Sequence, residues 1–250
     1  MSKTLGIIPA RWQSTRFPGK PLHLIAGKPL LRHVWERSLR AKRLDSVIIA
    51  TDDMRIAEAA FSWGAEVSLT SKSHHSGTDR IAEVAAKAKG FAHIINIQGD
   101  EPLVDPRLIN RLVHELRNDR DLEMVTAAHA FGNLTEAASP HQVKVVLDRQ
   151  GNALHFSRAL PADAKYFRHQ GIYGYTRDLL LRFVRWKPTP LERAESLEQL
   201  RALENGVRIQ VVVTASGSPG VDTPEDAKAI ERQLLSARRR ATRQKRSSKQ

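Results

Sequence analysis

The chain has 250 residues, and its 41% hydrophobic content is enough to build the core of one large domain or two small ones. It contains no cysteine, which excludes disulfides and thiolate metal sites and suits a reducing compartment. No run approaches the roughly 20 apolar residues that span a bilayer, and the N-terminus enters a strand-like segment with no signal-peptide hydrophobic region. We therefore expect a cytoplasmic protein without membrane insertion.

The formal net charge is +13, and its distribution argues against a nucleic-acid-binding protein. Seven lysines and arginines fall in residues 238–250, which contain no acidic residue. Aromatic residues, on which nucleic-acid bases stack, make up 6% of the chain and are absent from this basic run. We expect residues 238–250 to form a disordered, solubilising tail, with an RNA or lipid contact as the alternative, and we expect no nucleic-acid partner.

The first half of the chain alternates short apolar runs with amphipathic stretches. The apolar runs predict strands at 4–10, 46–52, 65–70 and 93–100. Helical spacing predicts helices at 29–42, 54–64 and 78–90, of which the last two end at a glycine. This β-α-β order predicts a parallel sheet covered by helices on both faces, with ligands at the carboxyl ends of the strands.

After about residue 120 the pattern changes. Strands with intervening turns are predicted at 124–131, 143–158 and 168–176, so a mixed or antiparallel portion joins the sheet. A long helix at 189–206, a strand at 207–214 and a closing helix at 223–240 follow. We find no repeat and no linker, so we expect one α/β domain over residues 1–237, to which residues 120–215 contribute a lobe.

The segment PARWQSTRFPGKPL, residues 9–22, follows the first strand and sets Arg11, Arg16 and Lys20 among three prolines and one glycine. It matches neither glycine-rich phosphate motif. Phosphate binding here would depend on side chains, with two guanidiniums gripping oxygens and one ammonium acting as a point charge. A solvated basic surface loop is the alternative.

A second candidate is NIQGDEPLVDP, residues 96–106. Asp100 and Glu101 leave the end of a predicted strand, where they would face the same cleft as the basic loop. Mg²⁺ prefers one or two carboxylates together with water and phosphate oxygens. The alternative is a simple turn at 99–102 followed by a helix capped by Asp105.

A third stretch, HHSGTDRIAE at 74–83, places Ser76, Gly77 and Thr78 before a helix. Exposed amides and hydroxyls there would read a base or ribose, whereas Thr78 or Asp79 would otherwise serve only as a helix cap. The adjacent histidines lack a spaced third ligand, so they make a poor zinc site.

Eight segments together resemble one enzyme family in order and nearly in spacing: PARWQSTRFPGKPL, HHSGTDR, NIQGDEP, VKVVLD, HFSRA, RHQGIYGY, PLERAESLEQLRALENG and GVDTPED. The family is that of the 3-deoxy-manno-octulosonate (Kdo) cytidylyltransferases, or CMP-Kdo synthetases, and the resemblance covers about residues 4–230. It implies a Rossmann-like nucleotidyltransferase sheet and a homodimer. It also implies transfer of CMP from CTP to Kdo with Mg²⁺ and release of diphosphate, for lipopolysaccharide synthesis.

The resemblance also implies residue roles. The nucleotide-binding set would be Pro9, Ala10, Arg11, Arg16, Lys20, Ser76, Gly77, Arg80 and Asp100. Mg²⁺ would be held by Asp100 and Asp222, and the catalytic set would be Arg11, Arg16, Lys20, Asp100 and Asp222. The sugar acid would contact Gln98, Arg158, His169, Tyr173, Glu198 and Gln199.

One departure from the family lies between HFSRA and RHQGIYGY, where only LPADAKYF, residues 160–167, replaces a commonly longer insert. Arg158 and Lys165 remain as partners for the sugar carboxylate. The short segment leaves open a variant sugar acid such as the 8-amino analogue of Kdo, although ordinary Kdo is the substrate we favour.

Overall fold

A computed structural model of the chain describes residues 2–13, 16–161 and 164–247, with backbone alone described at 238–247. Its strands are β1 (Thr4–Ala10), β2 (Leu24–Ile25), β3 (Lys28–Pro29), β4 (Ser46–Thr51), β5 (Glu66–Leu69), β6 (His93–Asn96), β7 (Met124–His129), β8 (Lys144–Leu147), β9 (Ala153–Ser157), β10 (Tyr166–Thr176) and β11 (Ile209–Thr214). Its α-helices are α1 (Leu30–Ser38), α2 (Met54–Ser62), α3 (Gly77–Lys87), α4 (Pro106–Asn118), α5 (Leu134–Ala138), α6 (Arg177–Phe183), α7 (Pro190–Glu195), α8 (Gln199–Glu204) and α9 (Pro224–Ser247). A short 3-10 helix spans Lys20–Leu22.

Nine strands of the described residues form one mixed sheet, and β2 and β3 form a separate ribbon. The main path runs β11-β7-β10-β6-β1-β4-β5. Strands β6, β1, β4 and β5 are parallel to one another, as are β7 and β11. Strand β10 runs antiparallel to β6 and β7, and β8 and β9 extend its outer end. The predicted α/β class, a mostly parallel sheet with an antiparallel later portion, is confirmed.

Helices cover both faces of the sheet, which explains why the central strand β1 is apolar throughout. Its Ile8 packs with α1, α2, α4 and α9 on one face. Its Leu5 and Ile7 pack with α3, α6 and α8 on the other. A strand buried on both sides needs an unbroken hydrophobic run, and TLGIIPA supplies it.

The predicted single helix at 189–206 is wrong, since the chain forms two short helices there. Ser196 adopts the left-handed conformation with φ 53° and ends α7. The Leu197 amide then donates to the Glu192 carbonyl at 3.2 Å, which closes the helix end and turns the buried Leu197 inwards. Glu198 and Gln199 consequently stand at the start of α8 instead of mid-helix.

Three helices of the structure were not among the predicted ones: α4, α5 and α6. Helix α4 begins after Asp105, whose side chain accepts from the Arg107 amide, with Pro106 at the first position. Helix α6 begins after Thr176, whose hydroxyl accepts from the Leu179 amide. The helix cap that we considered at Asp105 therefore exists. It follows the carboxylates of residues 100 and 101 in the sequence, and its presence does not exclude their role in a site.

The C-terminal segment differs from the disordered tail predicted for 238–250, because helical backbone continues through Ser247. Arginine, lysine, glutamine and alanine all favour helix, and the segment contains neither glycine nor proline to stop it. Residues 248–250 lie outside the described residues. Within the part of the chain that the structure describes, no helix has the length and apolar content to cross a membrane.

Candidate active site

A cavity of about 1060 Å³ opens at the carboxyl ends of β1, β4 and β6, the edge at which parallel α/β sheets bind ligands. Nine residues of the predicted site line it: Pro9, Ala10, Arg11, Arg16, Lys20, Arg80, Gln98, Asp100 and Asp222. The basic loop and the acidic turn therefore face the same space, as we expected from their positions after neighbouring strands.

Lys20 lies at the centre of this cavity. Its Nζ donates to Asp100 Oδ2 at 2.8 Å and to the Val221 carbonyl at 2.8 Å. Asp222 Oδ1 lies 3.5 Å from the same nitrogen. The Lys20 side chain is only 15% exposed, so these contacts are poorly screened by solvent. Two carboxylates far apart in sequence thus converge on one cation.

The backbone explains why residues 100 and 222 meet. The Val221 amide donates to the Asp100 carbonyl at 2.9 Å, which fixes the segment before α9 against the turn after β6. Gly99 permits the close approach of that turn to β1, because a Cβ at this position would lie 2.6 Å from the Pro9 carbonyl oxygen. Arg16 adds a second cation, with its Nη2 3.2 Å from Asp222 Oδ1.

The wall opposite this acidic pair is formed by the start of α3. Ser76 caps the helix in a capping box with Asp79, so the cap function that we considered for Thr78 or Asp79 belongs to Ser76. Gly77 lies against Pro9, since a Cβ there would be 3.6 Å from the proline ring. Arg80 is 3% exposed and donates to Asp52 Oδ2 at 2.8 Å. Gly77 thus lies behind Pro9, and Ser76 and Gly77 are not among the residues that line the cavity.

The residues predicted to contact the sugar form a second group that begins at Gln98. Its Nε2 donates to the Gly171 carbonyl at 2.6 Å and so links the large cavity to β10. The ring of His169 lies 5.4 Å from that of Tyr173 and 5.1 Å from that of Phe156, measured between centroids. Burial lowers the pKa of His169 to about 3, so the imidazole is neutral. Burial and the nearby Glu198 carboxylate raise the pKa of Tyr173, so it keeps its proton.

Glu198 and Gln199 reach this second group from the start of α8. Glu198 Oε2 accepts a hydrogen bond from the Thr78 hydroxyl at 2.6 Å. Gln199 is 5% exposed, and its Nε2 is buried without a hydrogen-bond partner. A buried amide donor without an acceptor is costly, and it marks a place where a ligand oxygen would be bound.

Arg158 does not join this group. Its Nε donates to the Glu195 carbonyl at 2.9 Å and its Nη1 to the Pro140 carbonyl at 3.2 Å. The guanidinium is therefore engaged by backbone oxygens instead of facing Tyr173. Lys165 lies 5.3 Å from the centre of the Phe167 ring. Residues 162 and 163 of the short segment 160–167 lie outside the described residues.

Comparison with known proteins identifies the family of the chain. A family model described as cytidylyltransferase matches residues 5–209. The chain belongs to the cytidylyltransferase family. It is 47% identical to a 3-deoxy-manno-octulosonate cytidylyltransferase of Geobacter metallireducens, over 93% of this chain and 98% of the relative. It is 52% identical to an enzyme of the same name from Solibacter usitatus, over 92% of this chain and 94% of the relative.

Solved structures agree with these sequence relatives. A CMP:2-keto-3-deoxy-manno-octonic acid synthetase in complex with CTP superposes with a TM-score of 0.91 at 40% identity, covering 94% of this chain and 100% of the other. A cytidylyltransferase of Leptospira borgpetersenii shares the fold at a TM-score of 0.64 and 20% identity, covering 92% and 86%. The predicted family is confirmed, and with it the nucleotidyltransferase class of enzyme.

Several residues around the cytidylyltransferase cavity were missed by sequence reasoning. Asp52 and Asp53 follow β4 directly, as Asp100 follows β6, and this repeated position after a strand was the signal that could have revealed them. Lys72 and His74 complete that side of the cavity. His74 Nε2 lies 2.7 Å from Glu83 Oε2, so one of the two adjacent histidines has a carboxylate partner.

Trp12 and Arg55 hold the basic loop of the cytidylyltransferase in place. The Arg55 guanidinium lies 3.6 Å from the centre of the Trp12 ring and pairs with Asp53 at 2.6 Å. Gly19 packs near the same ring in the left-handed conformation with φ 69°, where a Cβ would lie 3.1 Å from the indole. The loop is therefore positioned by a stacked cation and by a glycine, in addition to its three prolines.

The two converging carboxylates fit a divalent cation that also binds phosphates. Asp100 and Asp222 offer hard oxygen donors beside the same nitrogen, and Mg²⁺ takes few protein carboxylates because it keeps water and phosphate oxygens as ligands. The described residues contain no group of three or more histidine, aspartate or glutamate side chains arranged for a metal. The donor set therefore suits a cation that arrives with a nucleotide better than a cation held by protein alone.

A smaller cavity of about 230 Å³ adjoins the acidic turn and is lined partly by Glu101, His129, Arg168 and the segment 217–220. Burial, together with the charge of Asp100, raises the pKa of Glu101 to about 8. Arg168 pairs with Glu136 of α5. Glu101, singled out with Asp100 in the sequence, thus turns away from the large cavity towards this smaller one.

Proposed function

We propose that the chain transfers CMP from CTP to 3-deoxy-manno-octulosonate. The oxygen of the anomeric hydroxyl attacks the α-phosphorus of CTP, the bond from that phosphorus to the bridging oxygen breaks, and diphosphate leaves. The observation that carries the proposal is the meeting of Lys20, Asp100 and Asp222 in a cavity large enough for a nucleotide. The names of the relatives indicate the sugar acid.

The nucleotide half of the site would act mainly by positioning and by neutralising charge. Arg11, Arg16 and Lys20 supply fixed positive charge near the phosphates, and Pro9, Ala10, Ser76, Gly77 and Arg80 shape the space for cytidine. Phosphoryl transfer needs little covalent chemistry from a protein, so a cation held ready by two carboxylates suits the reaction. It would reduce the repulsion between an anionic sugar acid and the polyphosphate.

Magnesium is proposed as the cofactor, held by Asp100 and Asp222. When bound, it would supply Lewis-acid stabilisation of charge on the phosphate oxygens. The Lys20 ammonium lies 2.8 Å from the Asp100 carboxylate and 3.5 Å from that of Asp222, and it offsets part of their charge. Lys20 is therefore placed to hold both carboxylates in position for the metal and to contact phosphate itself.

The sugar acid would bind between β10 and α8. Gln98, His169, Tyr173, Glu198 and Gln199 offer hydrogen-bonding groups to a polyhydroxy acid, and the unpartnered Gln199 amide is one donor that such a ligand would satisfy. Neutral His169 cannot serve as the cation for the sugar carboxylate. Arg158, engaged by two backbone carbonyls, would need to change its contacts before it could do so.

Three further features are proposed with this function. The product would feed lipopolysaccharide synthesis, and the reaction would occur in the cytoplasm, where CTP is made. A homodimer is proposed from the family resemblance.

Diphosphate release from CTP and Mg²⁺ tests the function, with Kdo, its 8-amino analogue and sialic acid as parallel acceptors. We expect release with Kdo, weaker release with the amino analogue and none with sialic acid, and we expect chelation of Mg²⁺ to stop the reaction. Deletion of residues 238–250 should leave turnover unchanged, because this segment follows the predicted domain, residues 1–237, and contains none of the predicted site residues. Absence of release with either Kdo-type sugar, in a folded sample that binds CTP, would refute the proposal.

A further inference from the structure

One hydrogen bond joins the nucleotide side of the site to the sugar side. The Thr78 hydroxyl donates to Glu198 Oε2 at 2.6 Å across 120 residues of sequence. Thr78 is 6% exposed, so the bond is shielded from water. A charge-assisted hydrogen bond in such a setting is short and strongly directional.

The Thr78 end of this bond is held rigidly beside the CTP cavity. Thr78 lies in the first turn of α3, which begins with the capping box of Ser76 and Asp79. Two residues further on, the buried Arg80 donates to Asp52 and to the Thr70 hydroxyl. The turn that carries Thr78 therefore cannot shift without disturbing contacts that border the nucleotide.

The Glu198 end lies at the break between α7 and α8. The chain breaks at Ser196, with φ 53°, which brings Glu198 to the start of α8. The Glu198 carboxylate is close enough to Tyr173 and Tyr175 that its charge contributes to raising the pKa of both. The adjacent Gln199 has a buried Nε2 without a partner. Residues 198 and 199 thus present an acceptor and a donor to the same region.

We propose that Thr78, in the first turn of the helix that also carries the cavity-lining Arg80, is a positioning residue for Glu198 in the sugar-acid site. A carboxylate has several lone-pair sites. One hydrogen bond from Thr78 therefore fixes the orientation of the carboxylate and leaves acceptors for hydroxyls of the sugar acid. The inference rests on the proposed function, because it needs Glu198 to contact the acceptor.

The proposal predicts a specific kinetic pattern for Thr78→Val, which keeps the shape of the side chain and removes the donor. We expect the KM for Kdo to rise about tenfold, as is typical for losing one hydrogen bond to a charged group. The affinity for CTP, measured by calorimetry, should change less than twofold. Thr78→Ser keeps the hydroxyl and should restore the KM to within threefold of wild type.

A double-mutant cycle with Glu198→Ala, which removes the acceptor of the Thr78 hydrogen bond, separates positioning from general destabilisation. If Thr78 acts through Glu198, Thr78→Val should have little further effect on the KM for Kdo in the Glu198→Ala background. Thr4→Val is the matched control, because Thr4 is also a buried threonine whose hydroxyl bonds to a charged side chain, that of Arg117. It should lower Tm without changing either KM.

Four outcomes would overturn the inference. They are an unchanged KM for Kdo in Thr78→Val, an equal loss of CTP affinity, an effect undiminished in the Glu198→Ala background, or a failure of Thr78→Ser to restore the KM. If Thr78→Val does not fold, Thr78→Ala and Thr78→Ser give the same comparison. A wild-type protein that binds CTP but never uses a Kdo-type sugar would instead refute the proposed function, and this inference with it.

Discussion

The contacts of Lys20 allow the effect of replacing it to be worked out from the structure. In Lys20→Met the apolar stem is kept and the ammonium is lost, which leaves Asp100 and Asp222 near each other without the cation that now separates them. The Asp100 and Asp222 side chains are 34% and 51% exposed, so water will compensate part of the loss. We expect a fall of about 1–2 kcal/mol in the free energy of unfolding.

This loss of stability should be accompanied by a much larger loss of activity. For a chain of this size, about 1 kcal/mol corresponds to a Tm change of roughly 2–4 °C. Turnover should fall about 10²–10³-fold, as is typical when one group that stabilises transition-state charge is removed. Added Mg²⁺ should raise the Tm of Lys20→Met more than that of the wild type, because the two carboxylates then lack a competing protein cation.

The assay combines thermal unfolding, with and without Mg²⁺, and diphosphate release. Lys28→Met is a suitable control. Lys28 lies in the β2–β3 ribbon, pairs with Glu36 of α1 and is not among the residues that line the cavity. It should keep turnover within twofold. Turnover of Lys20→Met within tenfold of wild type, or a Tm response to Mg²⁺ equal to that of the wild type, would refute this reasoning.

Two further predictions concern the edges of the site. Arg55→Ala removes the guanidinium stacked on Trp12 and should weaken CTP binding about two- to fivefold by calorimetry; unchanged affinity would show that this contact does not position the loop. Burial raises the pKa of Glu101 from 4.5 to about 8, so between these values the folded state binds more protons than the unfolded state, and stability falls as pH rises. Glu101→Gln should flatten that fall in Tm between pH 5 and 8, and curves of identical slope would contradict the assignment.

Much of the sheet could be predicted from the sequence, because strands that are buried on both faces are rich in apolar residues. TLGIIPA and the start of HIINIQGD are rich in isoleucine and leucine, since both faces of the sheet are covered by helices. Capped helices such as α3 were predicted from the spacing of their apolar residues. The break at Ser196 could not be predicted, because it depends on Leu197 finding a buried position against the rest of the fold.

The candidate site was predictable to the extent that its residues follow strands. Arg11 and Asp100 do so, and they meet at the edge of the sheet as expected. Asp222 was assigned only through the family resemblance, since its position depends on the pairing of Val221 with Asp100 over a long sequence separation. The contacts of Arg158 could not be predicted, because no local sequence pattern reveals that backbone carbonyls of residues 140 and 195 engage its guanidinium.

The place of β10 in the sheet determines when β6 and β7 can be joined during synthesis of the chain. This strand lies between β6 and β7, although it is made some 40 residues after β7. During synthesis on the ribosome, β6 and β7 therefore each keep one edge without its β10 hydrogen bonds until residue 176 has emerged. A chain cut before β10 would expose two unpaired edges of the main sheet, so nascent or truncated forms should be the species most prone to aggregate.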